Sequence, residues 1–199
     1  MLNRRYESGF GLIELMVAVT ILAILGAVAM PNFSTWIRNS RVRTAAEALQ
    51  SGVRLAQTEA QRRTHTVAFF LTNSSTCTTE STAAVGGRYW QIVVVPDPLI
   101  SSDDAEVVQC GALVDASSGI SLSSRTTALC FGGDGRQSTQ ENPAGIGASC
   151  TAKTARFDLA PIANDADKRP LRLLVTLAGA IRLCDPGKAS NAPDGCPKS

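Results

Sequence analysis

The feature that most constrains this chain is an unbroken apolar run near its N-terminus. Between Phe10 and Met30, Glu14 is the only charged residue. At a rise of about 1.5 Å per residue, a helix of this length spans roughly 30 Å, which matches the hydrocarbon thickness of a bilayer. We therefore expect a membrane-spanning helix over residues 10–30, with Arg4 and Arg5 keeping the N-terminus in the cytoplasm.

Glu14 is unusual in such a segment. Inserting a carboxylate into a membrane costs about 2.5–3.5 kcal/mol, and a carboxylate found there by default indicates function. A secretory signal peptide is one alternative. Its apolar region would be shorter, and the small residues Ala27 and Ala29 offer only a loose cleavage site. A generic membrane anchor is a second alternative, but it leaves Glu14 without a role.

The cysteines and the overall charge limit the function classes. A net charge of +2 over 199 residues does not by itself require nucleic acid as a partner. All six cysteines lie between Cys77 and Cys196, and His65 is the single histidine, so no zinc-type cluster can be completed. These features favour disulfides in an oxidising compartment, such as a bacterial periplasm or cell surface.

A second helical pattern follows the apolar run over residues 31–65. Pro31 is expected to bend the helix, since it removes a backbone donor and crowds the preceding turn. Apolar residues then recur at intervals of three and four, which predicts an amphipathic helix against a globular domain. They are Val42, Ala45, Ala46, Leu49, Val53, Ala56 and Ala60.

The opposite face of this helix is rich in arginine. It carries Arg38, Arg41, Arg43, Arg54, Arg62 and Arg63 against Glu47 and Glu59. Such a face could contact other subunits, lipid headgroups or nucleic acid. The alternative that the pattern favours is a solvated face, with Arg38 and Arg41 extending to the membrane surface and the two glutamates supporting their own helix.

From residue 66 to 199 the pattern is that of short strands. Eight segments rich in β-branched or aromatic residues are separated by turn-forming clusters, at 66–71, 88–95, 106–110, 119–122, 128–131, 155–159, 171–177 and 180–184. A tight connection is expected around Ala178-Gly179, and residues 72–87 and 137–155 are expected to be loops. Without helical crossovers between them, the strands should pair antiparallel.

The N-terminal motif resembles the class III signal of type IV pilins and type II secretion pseudopilins. It reads GFGLIELMVAVTILAILGAVAMP, after a short basic leader over residues 1–9. The resemblance implies that a prepilin peptidase cleaves between Gly9 and Phe10 and that Phe10 is then N-methylated. It also implies that Glu14 pairs with the N-terminal amine of a neighbouring subunit during assembly.

Within these families the chain is most similar to the GspH/FimT group of minor pilins and minor pseudopilins. The segments that carry the similarity are RLAQTEAQRRTHTVAF, RYWQIVVV, ALCFGGDGR and LRLLVTLAGAIRLCDP. The resemblance implies an α+β, type IV pilin-like fold, in which a long N-terminal helix with a transmembrane and an amphipathic half packs on an antiparallel β-sheet domain.

The implied function is that of a minor pilin which primes assembly of a type IV pilus. It would sit in the inner membrane with a periplasmic domain, and its partners would be other minor pilins and the major pilin. The near alternative is a minor pseudopilin of a type II secretion system. No cofactor, metal or catalytic role is expected, because His65 at the helix end and the acidic pair Asp103-Asp104 are more typical of surface residues.

A further alternative is a DNA-binding tip pilin. Some members of the group bind DNA through a Gly-Arg-x-Arg motif, and the matching segment here is Gly179-Ala180-Ile181-Arg182, without the first arginine. Arg172 and Lys188 could supply the missing phosphate contact. Lys168 and Arg169 could do the same, although three aspartates lie among these residues.

Six cysteines allow fifteen pairings, and sequence alone does not select one. Proximity along the chain favours Cys184–Cys196, which would close the C-terminal tail into a loop. Cys130–Cys150 would then span the loop after the strand at 128–131, leaving Cys77–Cys110. Each such bond could stabilise a loop-rich domain by about 2–4 kcal/mol.

Overall fold

The computed structural model of the chain describes residues 11–100, 102–113, 119–163 and 167–197, and for 28–32 it gives the backbone conformation alone. One helix, α1, runs from Leu12 to Arg63. The chain divides into two units, the first ending at Ile37 and the second beginning at Arg38. Helix α1 contributes to both.

The second unit combines the C-terminal half of α1 with two antiparallel sheets. The described residues of this unit form nine strands: β1 (Val67–Thr72), β2 (Tyr89–Val94), β3 (Glu106–Ala112), β4 (Ile120–Ser124), β5 (Ala128–Phe131), β6 (Gln137–Ser138), β7 (Ala155–Pro161), β8 (Leu171–Val175) and β9 (Ile181–Cys184). A short 3₁₀ turn, Pro143–Gly145, follows β6. One sheet has the order β3-β2-β1-β5-β6 and the other the order β4-β7-β8-β9.

The predicted apolar face of α1 is confirmed. Its seven positions are at most 1 % exposed: Val42, Ala45, Ala46, Leu49, Val53, Ala56 and Ala60. They join side chains of both sheets, such as Phe69 and Phe157, in a single hydrophobic cluster. Burial of this face, rather than helix propensity alone, holds this half of the helix in place.

A glycine on α1 permits a close approach between the helix and the five-stranded sheet. A Cβ on Gly52 would lie 3.1 Å from the ring of Phe69 and 3.2 Å from that of Trp90. The two rings are themselves stacked, with centroids 6.0 Å apart. A larger side chain at position 52 would therefore push the helix away from the sheet.

The eight predicted strands all have counterparts, with ends that differ by one or two residues in most cases. One expectation was wrong, because residues 137–155, predicted as a loop, begin with strand β6. A two-residue strand is too short to show a period of two in the sequence. It is defined by its antiparallel pairing with the preceding strand β5, across the turn at residues 132–136.

The tight connection between β8 and β9 is confirmed. The backbone N–H of Thr176 donates to the carbonyl of Ala180, and that of Gly179 donates to Thr176. Gly179 adopts a φ of 84°. This is the left-handed region that glycine enters at no steric cost.

Candidate assembly surface and basic sites

Glu14 lies in the first turn of α1, where its backbone N–H donates to the carbonyl of Gly11 at 3.1 Å. The residues around it are apolar and open to solvent, with Leu12 79 % and Ile13 72 % exposed. A carboxylate is favoured at a helix N-terminus by the helix dipole. The first turn thus presents one negative charge on an otherwise apolar surface.

The exposed apolar surface continues along the N-terminal unit. It includes Leu15, Met16, Val17, Val19, Ile21, Leu22, Ile24 and Leu25. Farther along, Phe33 and Trp36 are both more than half exposed and stack with centroids 5.9 Å apart. Sequence reasoning missed this aromatic pair, although its spacing of three on a helix could have revealed it.

The roles expected for three residues of the N-terminal motif stay predictions. Gly9 and Phe10, the proposed cleavage site, lie outside the described residues. Position 31 is helical like its neighbours, so the bend at Pro31 stays a prediction. In the part of the chain that the structure describes, no helical stretch combines the length and hydropathy required of a membrane span.

The arginine-rich face of α1 forms several ion pairs within the chain. Arg43 pairs with Glu47 at 2.8 Å, one turn along the helix. Arg62 and Arg63 both pair with Glu59, and Arg63 also reaches Glu106 on β3 at 2.6 Å. The two glutamates predicted to support their own helix therefore do so.

These contacts shift the protonation equilibria of the glutamates. Hydrogen bonds from Arg62 and Arg63 hold the pKa of Glu59 below its usual value. A hydrogen bond from Arg63 lowers the pKa of Glu106 in the same way. The pKa of Arg63 is raised by both partners, so this small network stays charged at neutral pH.

Gly179, proposed from sequence as part of a DNA-binding motif, is buried. The side chain of Gln57 on α1 donates to its carbonyl at 2.9 Å and to the carbonyl of Gly135 at 2.7 Å. Gln137 adds hydrogen bonds to the carbonyls of Val175 and Thr176. These two glutamines join α1 and both sheets at one point, and no local sequence signal predicted them.

Arg182 and Lys188 both contact the C-terminal tail. Arg182 donates from Nη2 to the carbonyls of Pro193 and Gly195, each at 3.2 Å. Lys188 forms an ion pair with Asp194. The disulfide Cys184–Cys196 closes the same loop. The DNA-binding hypothesis requires these two side chains to be available to phosphates. Both instead have partners in the C-terminal loop.

Arg172 is also paired. Its Nε lies 2.5 Å from Oδ1 of Asp158 on the adjacent strand, and its Nη2 donates to Oδ2 at 3.2 Å. This two-point geometry suits a guanidinium and a carboxylate. The structure therefore gives each of the three basic residues singled out by the DNA-binding hypothesis a partner within the chain.

The three disulfides join the same cysteines that proximity along the chain favoured. They are Cys77–Cys110, Cys130–Cys150 and Cys184–Cys196. The first ties the segment between β1 and β2 to β3, and the second ties β5 to the segment after the 3₁₀ turn. Covalent links thus fix the long irregular stretches onto the sheets.

His65 and Asp103 also serve the fold. His65 Nε2 lies 3.0 Å from Oδ2 of Asp103, which accepts a further hydrogen bond from the backbone N–H of Asp97 at 2.7 Å. The contact fastens the loop between β2 and β3 to the end of α1. Within the described residues, no group of three or more histidine, cysteine or acidic side chains could hold a metal ion.

A family model described as "Type II transport protein GspH" matches residues 45–179, and one described as "Prokaryotic N-terminal methylation motif" matches residues 4–30. No curated protein matches the sequence significantly.

Solved structures similar to the chain include those of a minor pilin and a minor pseudopilin. The type IV minor pilin FimU of Pseudomonas aeruginosa is 17 % identical, with a TM-score of 0.49, covering 79 % of this chain and 96 % of that one. The minor pseudopilin EpsH of the Vibrio cholerae type 2 secretion system is 13 % identical, with a TM-score of 0.48, covering 74 % of this chain and 99 % of that one.

Proposed function

Since the chain belongs to the GspH family of minor pilins and pseudopilins, whose model matches more than half of its length, we propose that it is a minor pilin which takes part in priming a type IV pilus. Prepilin peptidase would cleave before Phe10, and the new N-terminus would be methylated. The processed subunit would stay in the inner membrane by its N-terminal helix, with its β-rich domain in the periplasm. Other minor pilins and the major pilin would be its partners.

The observation that carries the proposal is the position of Glu14. It is a single carboxylate on the first turn of a helix whose neighbouring side chains are apolar and exposed. An apolar surface of this extent is stable once lipid or other helices cover it. Under that cover a lone carboxylate is costly, and an adjacent cation offsets the cost.

The N-terminal amine of a neighbouring processed subunit would supply that cation. Cleavage before Phe10 leaves the amine only a few residues ahead of Glu14 in each chain. An incoming helix would then align where its carboxylate meets the amine of the previous one. The charge pair would set the axial register, while apolar contacts along the helices would hold the fibre together.

A type II secretion pseudopilin is the second candidate, and the description of the matching family model favours it. The assembly chemistry would be the same in both machines. DNA binding is not part of the proposal, because Arg172, Arg182 and Lys188 already have partners in the chain.

The test is to follow Glu14→Val and Glu14→Gln through the cell. Both variants should reach the membrane fraction in wild-type amounts, because each removes a charge from an apolar segment. Both should be missing from fibres sheared off the cell surface. The glutamine variant keeps the size of the side chain, so its failure would assign the effect to charge.

Glu47→Gln is the matched control, since it removes a glutamate from an exposed position of the same helix, and it should enter fibres normally. Normal incorporation of either Glu14 variant would overturn the charge-pairing account. Assays of piliation and of protein secretion in the same strains would separate the two candidate machines.

A further inference from the structure

The four-stranded sheet carries a groove that the assembly account does not use. Its volume is about 540 Å³, and the described residues that line it are polar or charged. They are Ser123, Ser124, Arg125, Thr126, Lys153, Thr154, Arg156, Asp158 and Arg172. All belong to the second unit, far along the chain from Glu14.

The register of the sheet explains why these side chains meet. Ser123 on β4 pairs with Asp158 on β7, which pairs in turn with Arg172 on β8, so the three form one row across the strands. Arg156 lies two residues before Asp158 and therefore on the same face of the sheet. Phe157, between them, points the other way into the core.

The charges in the groove are unbalanced. It is lined by four cationic side chains and one carboxylate, Asp158, which Arg172 already engages at 2.5 Å. Arg125, Lys153 and Arg156 are exposed, and within the described residues their side chains form no hydrogen bond or ion pair. Clustered like charges repel one another, so an anion between them would relieve the repulsion.

The lining also indicates the class of anion. Guanidinium groups and hydroxyls are donors that match the oxygens of a tetrahedral oxyanion, and three unengaged cations exceed what one carboxylate would neutralise. Among the described residues that line the groove there is no aromatic side chain on which a nucleic-acid base could stack. A compact group with two negative charges fits this composition best.

We propose that this groove binds a phosphate group, either as a free oxyanion or as a phosphate monoester on a sugar. Arg156 and Lys153 provide the main charge contacts, with Arg125 and the hydroxyls of Ser123, Thr126 and Thr154 at the rim. The Ser124 hydroxyl already donates to backbone carbonyls. The half-buried pair of Asp158 and Arg172 keeps the groove in shape. The groove does not include residues of the assembly proposal. A failure to bind phosphate would therefore not affect the proposed assembly role.

The experiment is calorimetric titration of the full-length protein in a maltoside detergent, which contains no phosphate. Inorganic phosphate and mannose 6-phosphate are the two probes, at about 50 mM NaCl so that screening stays modest. We expect binding of at least one probe, and the tighter probe identifies the source of the phosphate. In the double variant Lys153→Gln/Arg156→Gln, affinity should fall at least about tenfold, as loss of charge-assisted hydrogen bonds implies.

Arg54→Gln is the matched control, since it removes an exposed arginine on α1 outside the groove, and it should bind like wild type. The substituted groove residues are exposed, so the double variant should unfold at the wild-type denaturant concentration. Failure of both probes to bind, or an equal loss in the control, would overturn the proposal. Groove-dependent binding of a thymidine oligonucleotide without binding of either probe would overturn it in favour of nucleic acid.

Discussion

At the scale of single residues, Gly179 shows how a motif position can have a purely structural role. A Cβ there would lie 2.2 Å from the carbonyl oxygen of Gly135 and 2.5 Å from Nε2 of Gln57. The residue also has a positive φ. Its place in a Gly-x-x-Arg segment is therefore explained by the close contact between α1 and the turn from β8 to β9.

We predict that Gly179→Ala destabilises the domain by about 2–3 kcal/mol, because it adds a steric clash to the cost of a left-handed backbone. Denaturant-induced unfolding would measure the loss. Gly119→Ala is the control, as Gly119 has a φ of 64° but nothing within 4 Å of an added Cβ. It should cost only about 1 kcal/mol. Equal losses for the two variants would contradict the packing explanation.

A second prediction at this scale concerns Arg63. The pKa values of Glu59 and Glu106 are lowered in the folded state, so their contribution to stability is present above the unfolded value, about 4.3. It is lost as the pH falls through the folded pKa values. Arg63→Gln should therefore lower the free energy of unfolding at pH 7 more than at pH 3.

Urea unfolding at the two pH values would test this. Arg54→Gln, which removes the same charge on the same helix, should leave the difference between the two pH values as in wild type. A variant lacking Arg63 that retained the full wild-type pH dependence would contradict the proposed network.

At the scale of elements, the C-terminal tail is held by one disulfide and by several weaker contacts beside it. Besides Cys184–Cys196, the tail has the contacts of Arg182 and a bridge between Asp185 and Gly195. The disulfide spans a sequence separation of 12, and closing a loop of this size contributes about 3 kcal/mol in the chain-entropy model.

We therefore predict that Cys184→Ala/Cys196→Ala releases the tail while the sheets stay folded. Trypsin should then cleave after Lys188 at least about ten times faster, because local opening becomes easier. Mass spectrometry of timed digests would show the cleavage. Removing Cys130–Cys150 instead should leave the rate at Lys188 unchanged, and equal acceleration in both variants would mean that the tail is not held locally.

Elements whose sequence pattern is local could be predicted, whereas features that depend on tertiary contacts could not. The face of α1 and eight of the strands could be predicted, because periodicities of 3.6 and 2 are local properties of the chain. Strand β6 pairs with the preceding strand β5 across the turn at residues 132–136, but it is too short to show a period of its own. The division into two sheets and the contacts of Gln57 depend on residues far apart in sequence. The groove could not be predicted either, since it arises from the register of three strands.

At the scale of the whole molecule, the two units carry different chemistry. Among its described residues, the N-terminal unit presents an apolar helix surface with one carboxylate, Glu14. The second unit has its own hydrophobic core and three disulfides. In our account the first supplies the assembly contacts and the second supplies a stable body that survives outside the cytoplasm.

We propose that the chain joins a pilus through its N-terminal helix and Glu14. The most direct measurement is a count of surface pili in a deletion strain that carries wild type, Glu14→Val or Glu47→Gln. We predict few or no pili in the deletion, recovery with wild type and Glu47→Gln, and none with Glu14→Val. Normal piliation in the deletion strain, or full recovery with Glu14→Val, would contradict the account.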